Sequence, residues 1–265
     1  MMTTTTTIDS AFAGEWTGWH EARERELRDD YGWLSLTGLY WLDERARTFE
    51  GIPGAWSATP RAARVTAAGD EGLVVEDRLL DGTTQLSVRE AGSALFATAG
   101  DLRLELLRRD GRYGLRVRDP RSPARRAFSG VPVFGPDPAW VVGARFVLYS
   151  PPHVVPAATA QPGLRRRQEI VGELRFDHEG TEYSLAATAG RGSALTVSFS
   201  DATSGSGTAA WRTLSVPRPR ASRAVLDFNR AQNPPSAFTP YATCTRPPGG
   251  NVLPFAVEAG ERAPR

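Results

Sequence analysis

The chain has 265 residues, 40% of them hydrophobic and 23% charged, with 32 basic against 30 acidic side chains and a formal net charge of +2. All 32 basic residues are Arg, which excludes chemistry built on a lysine amine, such as Schiff bases, pyridoxal-phosphate anchors and P-loops; the interspersed charge argues against a nucleic-acid partner. Cys244, the one cysteine, excludes an intrachain disulfide and a Cys-rich metal site, and the absence of a long apolar run or a basic-then-apolar leader leads us to expect a cytoplasmic protein with no membrane partner.

Residues 1–8 are a threonine-rich stretch expected to be disordered. From there to the C-terminus, 9–265, the reading is a single domain, because no Gly/Ser/Pro linker with a loss of apolar residues divides it. A helix is predicted over 9–30: Asp9 or Ser10 can cap it, and Phe12, Trp16, Trp19, Arg23 and Leu27 recur three and four apart. Trp33 to Leu42 is too apolar for a surface loop and is interrupted by Gly38, which predicts a buried strand with a bulge.

Residues 31–230 form the β core in this reading. Short alternating runs follow one another, among them Leu102 to Leu107, Tyr113 to Arg118, Val141 to Tyr149, Glu173 to Phe176, Tyr183 to Ala187 and Leu195 to Ser200. Asp110-Gly111 and Glu179-Gly180 supply turns between them. The predicted fold is therefore mainly β, an antiparallel β barrel or sandwich with one N-terminal helix. Arg165-Arg166-Arg167 reads as a solvated turn, 156–163 as a loop, and Thr203 to Thr208 as a flexible hairpin loop.

Beyond Leu226 the text changes character. Six prolines between Pro234 and Pro254 forbid a long helix or a central strand, yet Phe228, Phe238, Tyr241 and Phe255 are retained. A segment that keeps its aromatics is folded onto something, so 231–265 is predicted to be a long, irregular, Pro-rich C-terminal wrap, and long ordered loops tend to carry function.

Leu226-Asp-Phe-Asn-Arg-Ala-x-Asn-Pro-Pro-x-Ala-Phe-Thr-x-Tyr-Ala-Thr-Cys-x-x-Pro-Pro, followed by Asn251-x-Leu253-Pro254 and Ala259-Gly260-Glu261, resembles the C-terminal signature of the bacterial and archaeal family known as domain of unknown function 1684. Gly32 to Leu42, Leu115 to Asp119 and Trp140 to Phe146 are similar to that family's opening and middle motifs. The resemblance implies no activity. The chain departs from the pattern at Ser236, where the family usually has Cys, and at Thr208-Ala209-Ala210-Trp211, where it tends to have Thr-Tyr-Gly before the arginine aligned with Arg212.

Asp227, Asn229, Arg230 and Asn233 lie within seven residues and offer a carboxylate, two amides and a guanidinium. In a pocket, Asp227 suits a general acid or base, Asn229 and Asn233 orienting donors, and Arg230 an anion clamp; in a structural role the same residues make Asx turns and satisfy a wrap without a sheet partner. Tyr241, Arg116 and Arg145 are further candidate ligand-binding residues. Arg116, Arg118 and Arg145 alternate with apolar residues, so they are either exposed or, pointing inward, call for a desolvated anion. His178 reads as part of an exposed hairpin tip. No metal site is expected, because His20 and His153 lack any paired-histidine spacing.

Three readings result: a pocket for a small polar or anionic molecule, with or without turnover through Asp227; a non-catalytic interaction or homodimer module using Trp33, Trp41 and the first helix; and, by fold analogy alone, a flavin- or haem-binding barrel oxidoreductase. The cofactor is unknown from sequence.

Overall fold

The computed structural model describes residues 10–264; the disorder expected over 1–8 lies outside them. The fold is mainly β and antiparallel, with one long N-terminal helix, α1 (Ser10–Leu27), and an irregular C-terminal segment. The described residues gather into two compact units. One comprises Leu27–Phe128 with Thr239–Ala242, and the other takes the residues up to Glu26, Ser129–Phe238 and the chain from Thr243 onward. No helix of the described residues is long and apolar enough to cross a membrane.

The first unit holds ten strands: β1 (Leu36–Trp41), β2 (Arg47–Phe49), β3 (Ile52–Ala58), β4 (Ala63–Ala67), β5 (Val74–Val75), β6 (Arg78–Leu79), β7 (Gly82–Leu86), β8 (Ser93–Ala99), β9 (Leu102–Arg109) and β10 (Arg112–Arg118). They form two sheets, ordered β1-β10-β9-β8-β5-β6 and β2-β3-β4-β7. Alternation explains the arrangement: in β3 and β4 every second residue is buried, and these inward positions, with Trp56 and Val65 fully enclosed, join Leu104, Leu106 and Leu115 of the other sheet in one core. A short helix, α2 (Pro123–Ala127), starts at Ser122, whose hydroxyl accepts the Arg125 N–H.

The predicted strand at 33–42 begins later than expected. Trp33–Ser35 make a 3₁₀ turn, β1 starts at Leu36, and the bulge falls between Leu36 and Gly38 as the glycine implies. β3, β4 and β8 are rich in Ala, Ser and Gly, which carry little strand signal, and β2 is only three residues long, so the sequence does not announce them.

The second unit is one six-stranded sheet that curls into a half-barrel: β11 (Val141–Ala158), β12 (Arg165–His178), β13 (Thr181–Ala189), β14 (Leu195–Phe199), β15 (Arg212–Val216) and β16 (Arg223–Asp227), in the order β15-β14-β13-β12-β11-β16. Leu174, Leu185, Val197, Phe199 and Leu226 fill its inside together with Leu253 and Val257 of the C-terminal segment. Asp110-Gly111 and Glu179-Gly180 join β9 to β10 and β12 to β13 as two-residue turns, with φ of 52 and 73° in the first and 52 and 77° in the second; both residues in the left-handed region is the geometry that matches strand twist.

Four sequence expectations are corrected in this sheet. Arg165-Arg166-Arg167 starts β12 instead of making a turn, and β11 runs through 156–158 before the chain turns. Thr203 to Thr208 does link two paired strands, but it is pinned: Asp201 accepts from the Thr203 N–H at 2.8 Å and the Thr203 hydroxyl at 2.6 Å, and Thr208 is buried. His178 is not an exposed tip, since its ring stacks on Trp140 and on Phe255, with centroids 5.6 and 4.0 Å apart.

Candidate functional site

β16 ends at Asp227, and Phe228–Arg230 form a 3₁₀ turn, so the strand that would have aligned Asp227 with Asn229 stops short. Asp227 caps the turn, accepting the Asn229 N–H at 3.2 Å and the Asn229 side-chain amide at 3.0 Å, and its other oxygen lies 3.0 Å from Arg230 Nε. Asn229 is wholly buried and staples the turn to a neighbouring loop: its Oδ1 accepts the Asp137 N–H and its Nδ2 donates to the Asp137 carbonyl, both at 2.9 Å. This is a strand-like pair made by one side chain, in a region with no strand to pair with.

The rest of the wrap follows the same rule. Asn233 donates its backbone N–H to Glu261 at 2.6 Å and its amide to the Arg262 carbonyl at 2.7 Å, while Arg23 of α1 reaches Glu261 at 2.9 Å and the Asn233 carbonyl at 3.2 Å. Arg212, fully buried at the start of β15, is paired with Asp201 at 2.7 Å and donates to the carbonyls of Val257 and Ala259. Asn251 accepts the Ala186 N–H at 2.8 Å and donates to the carbonyls of Ala186 and Ser198 at 2.9 and 2.8 Å. Gly260 sits at φ 75°, where an added Cβ would lie 2.6 Å from the Ala231 carbonyl oxygen; only glycine fits.

Of the arginines that alternate with apolar residues, Arg116 and Arg118 point inward and Arg145 is exposed. The desolvated anion that inward arginines call for is the protein's own Glu105, 3.2 Å from Arg116 and 2.7 Å from Arg118. Burial pushes the Glu105 carboxyl up, but the two guanidiniums outweigh it and hold the group below the usual carboxylate range. Trp33, half-buried, lies under both guanidiniums, 5.5 Å from each. Tyr241 contributes its carbonyl, which accepts from Arg116 Nε at 3.1 Å.

His20 stacks on Trp16 at 5.2 Å and lies 3.5 Å from Glu24, whereas His153 stacks on Tyr149 at 4.3 Å. Among the described residues no group of three His, Cys, Asp or Glu side chains is placed to hold a metal ion.

Two adjoining clefts in the second unit share Arg246. One, of about 320 Å³, is lined by Trp211, Ala209, Pro234, Ser236, Ala237 and Arg246. The other, of about 530 Å³, has Tyr149, His153, Ile170, Ala186 and the Pro247–Gly250 turn along its wall. The Arg246 backbone N–H donates to Ala158 at 2.9 Å and its Nε to Thr159 at 3.3 Å, which aims the guanidinium over the Trp211 ring, 5.5 Å from its centroid. Among the described residues no carboxylate lies within ion-pair distance of it. Ser236 lines the first cleft as well, and its hydroxyl is buried without a hydrogen-bond partner. Across the second cleft the Tyr149 hydroxyl donates to Glu173 at 3.0 Å, and burial together with that bond raises its pKa. An exposed cation on an aromatic face, in a cleft that also holds an unsatisfied hydroxyl, can receive an anionic oxygen.

The family described as a protein of unknown function, DUF1684, matches residues 126–262, half of the chain and nearly all of the half-barrel and wrap. The chain belongs to this family. DUF1684 thus covers both clefts apart from Pro264, and every stapling residue of the wrap except Arg23. Among solved structures, the chain is similar to an uncharacterized protein from gene locus rrnAC0354 of Haloarcula marismortui, determined by solution NMR. The two are 31% identical over 53% of this chain and 80% of that one, with a TM-score of 0.45. No curated protein matches the chain.

Neither cleft is lined by Asp227, Asn229, Arg230, Asn233, Tyr241, Arg116 or Arg145. Trp211, Arg246 and Tyr149 were not read as site residues. Trp211 follows two alanines and Arg246 precedes two prolines, so each looks like loop filler until the fold sets one over the other.

Proposed function

We propose that this DUF1684 member binds a small anionic molecule, a carboxylate or phosphate attached to a flat apolar body, in the cleft between Trp211 and Arg246. The observation that carries the reading is the Arg246 guanidinium, free of any acidic partner among the described residues and poised over Trp211, with the buried Ser236 hydroxyl unsatisfied in the same cleft. The anion takes the outward edge of the fork, the apolar body lies along Pro234, Ala237 and Trp211, and the ligand supplies the partner that Arg246 lacks.

A series with one body and three charges tests this. Benzoate, benzyl alcohol and benzylamine are compared by thermal shift of the purified protein. Benzoate is expected to raise the melting temperature saturably and benzylamine to leave it unchanged. Arg246→Gln is expected to weaken benzoate binding about tenfold or more, the worth of one charge-assisted hydrogen-bond pair. Equal response to the three compounds, or a benzoate response untouched in Arg246→Gln, overturns the reading.

A further inference from the structure

The outer face of the half-barrel carries charge sorted into rows by strand register. Arg223 of β16 stands opposite Arg145 of β11, which stands opposite Arg175 of β12. Two residues along β12, on the same face, Asp177 stands opposite Glu182 of β13. Like charges placed directly across strands repel. Arg175 is relieved by Glu173 at 2.5 Å, but among the described residues neither Arg145 nor Arg223 has a carboxylate within ion-pair distance, and neither Asp177 nor Glu182 has a cation. All four are exposed.

Beside the rows, Val141 and Val225 are 39% and 49% exposed, and Gly143 leaves bare backbone between its neighbours with nothing within 4 Å of where a Cβ would stand. The Arg and acid rows border a shared groove of about 490 Å³.

We infer that this face is the interface of a homodimer, in which a two-fold axis sets Arg145 and Arg223 of one copy against Asp177 and Glu182 of the other. The pattern selects a second copy of this chain over other occupants. A purely acidic partner satisfies the arginines but is repelled by the acid row, and a purely basic one meets the reverse. A face bearing both rows is complementary to itself, and an isologous contact satisfies each row twice. Val141, Val225 and the Gly143 notch give the apolar centre that such a contact needs. None of these residues lines the Arg246 cleft, so this inference and the anion site stand or fall separately.

Sedimentation velocity over a concentration series, at low and high salt, tests it. The wild type is expected to be a dimer that weakens with salt. Arg145→Glu/Arg223→Glu and Asp177→Arg/Glu182→Arg are each expected to raise the dimer Kd about tenfold or more, and an equimolar mixture of the two to regain the dimer. Arg145→Gln/Arg223→Gln, which removes charge without reversing it, serves if a reversal variant fails to fold and is expected to weaken the dimer in the same direction. A wild-type monomer at concentrations up to about 200 μM, a dimer indifferent to these changes, or a mixture that stays monomeric overturns the inference.

Discussion

Glu105 shows how a residue-scale choice becomes a pH dependence. Its carboxyl is buried between Arg116 and Arg118 and titrates below the usual carboxylate range in the folded chain. A group depressed in this way contributes stability that is present above the unfolded value, near 4.5, and lost as pH falls through the folded one. Chemical denaturation followed from pH 7 downward is expected to show that loss in the acid limb. Glu105→Gln is expected to flatten this limb and to cost about 3 kcal/mol at pH 7, because it strands two buried guanidiniums. A variant as stable as wild type at pH 7 contradicts this account of the triad. Asn251 is a second such point: Asn251→Ala removes three side-chain bonds to the backbone of β13 and β14, for an expected loss of about 2–3 kcal/mol in urea unfolding.

At the scale of elements, the strands with strong alternation and the two Gly-containing hairpin turns were legible because period-two burial and left-handed turn residues are local properties. The wrap was legible as a folded segment for an equally local reason: it keeps its aromatics among its prolines. What its polar residues do was not. Whether Asn229 faces a ligand or the Asp137 backbone depends on a loop more than ninety positions away, and whether Arg116 meets a ligand or Glu105 depends on the register of β9 against β10. The wrap's dependence on one backbone position is testable. Gly260→Ala forces a Cβ toward the Ala231 and Phe228 carbonyls at positive φ, and is expected to cost about 2 kcal/mol or more. Limited proteolysis is expected to cut the variant first within residues 231–264, and protection equal to wild type contradicts the packing described.

For the molecule as a whole, the notable economy is that arginine fills every cationic role. It is buried as a clamp at Arg212, paired in the core at Arg116 and Arg118, stacked on Trp211 at Arg246, and ranked across an open sheet face at Arg145 and Arg223. The buried guanidiniums of Arg116, Arg118 and Arg212 find their anion within the chain. Arg246 does not, and it stands at a cleft with a second unmet polar group, so the reading of this protein as a binder of small anions rests there. The most direct measurement is a benzoate titration followed in a ¹H–¹⁵N correlation spectrum, with the Trp211 indole N–H peak assigned by its loss in Trp211→Phe. The account predicts that this peak shifts saturably and that Arg246→Gln removes the shift. A Trp211 peak that stays still, or one that moves equally in Arg246→Gln, contradicts it.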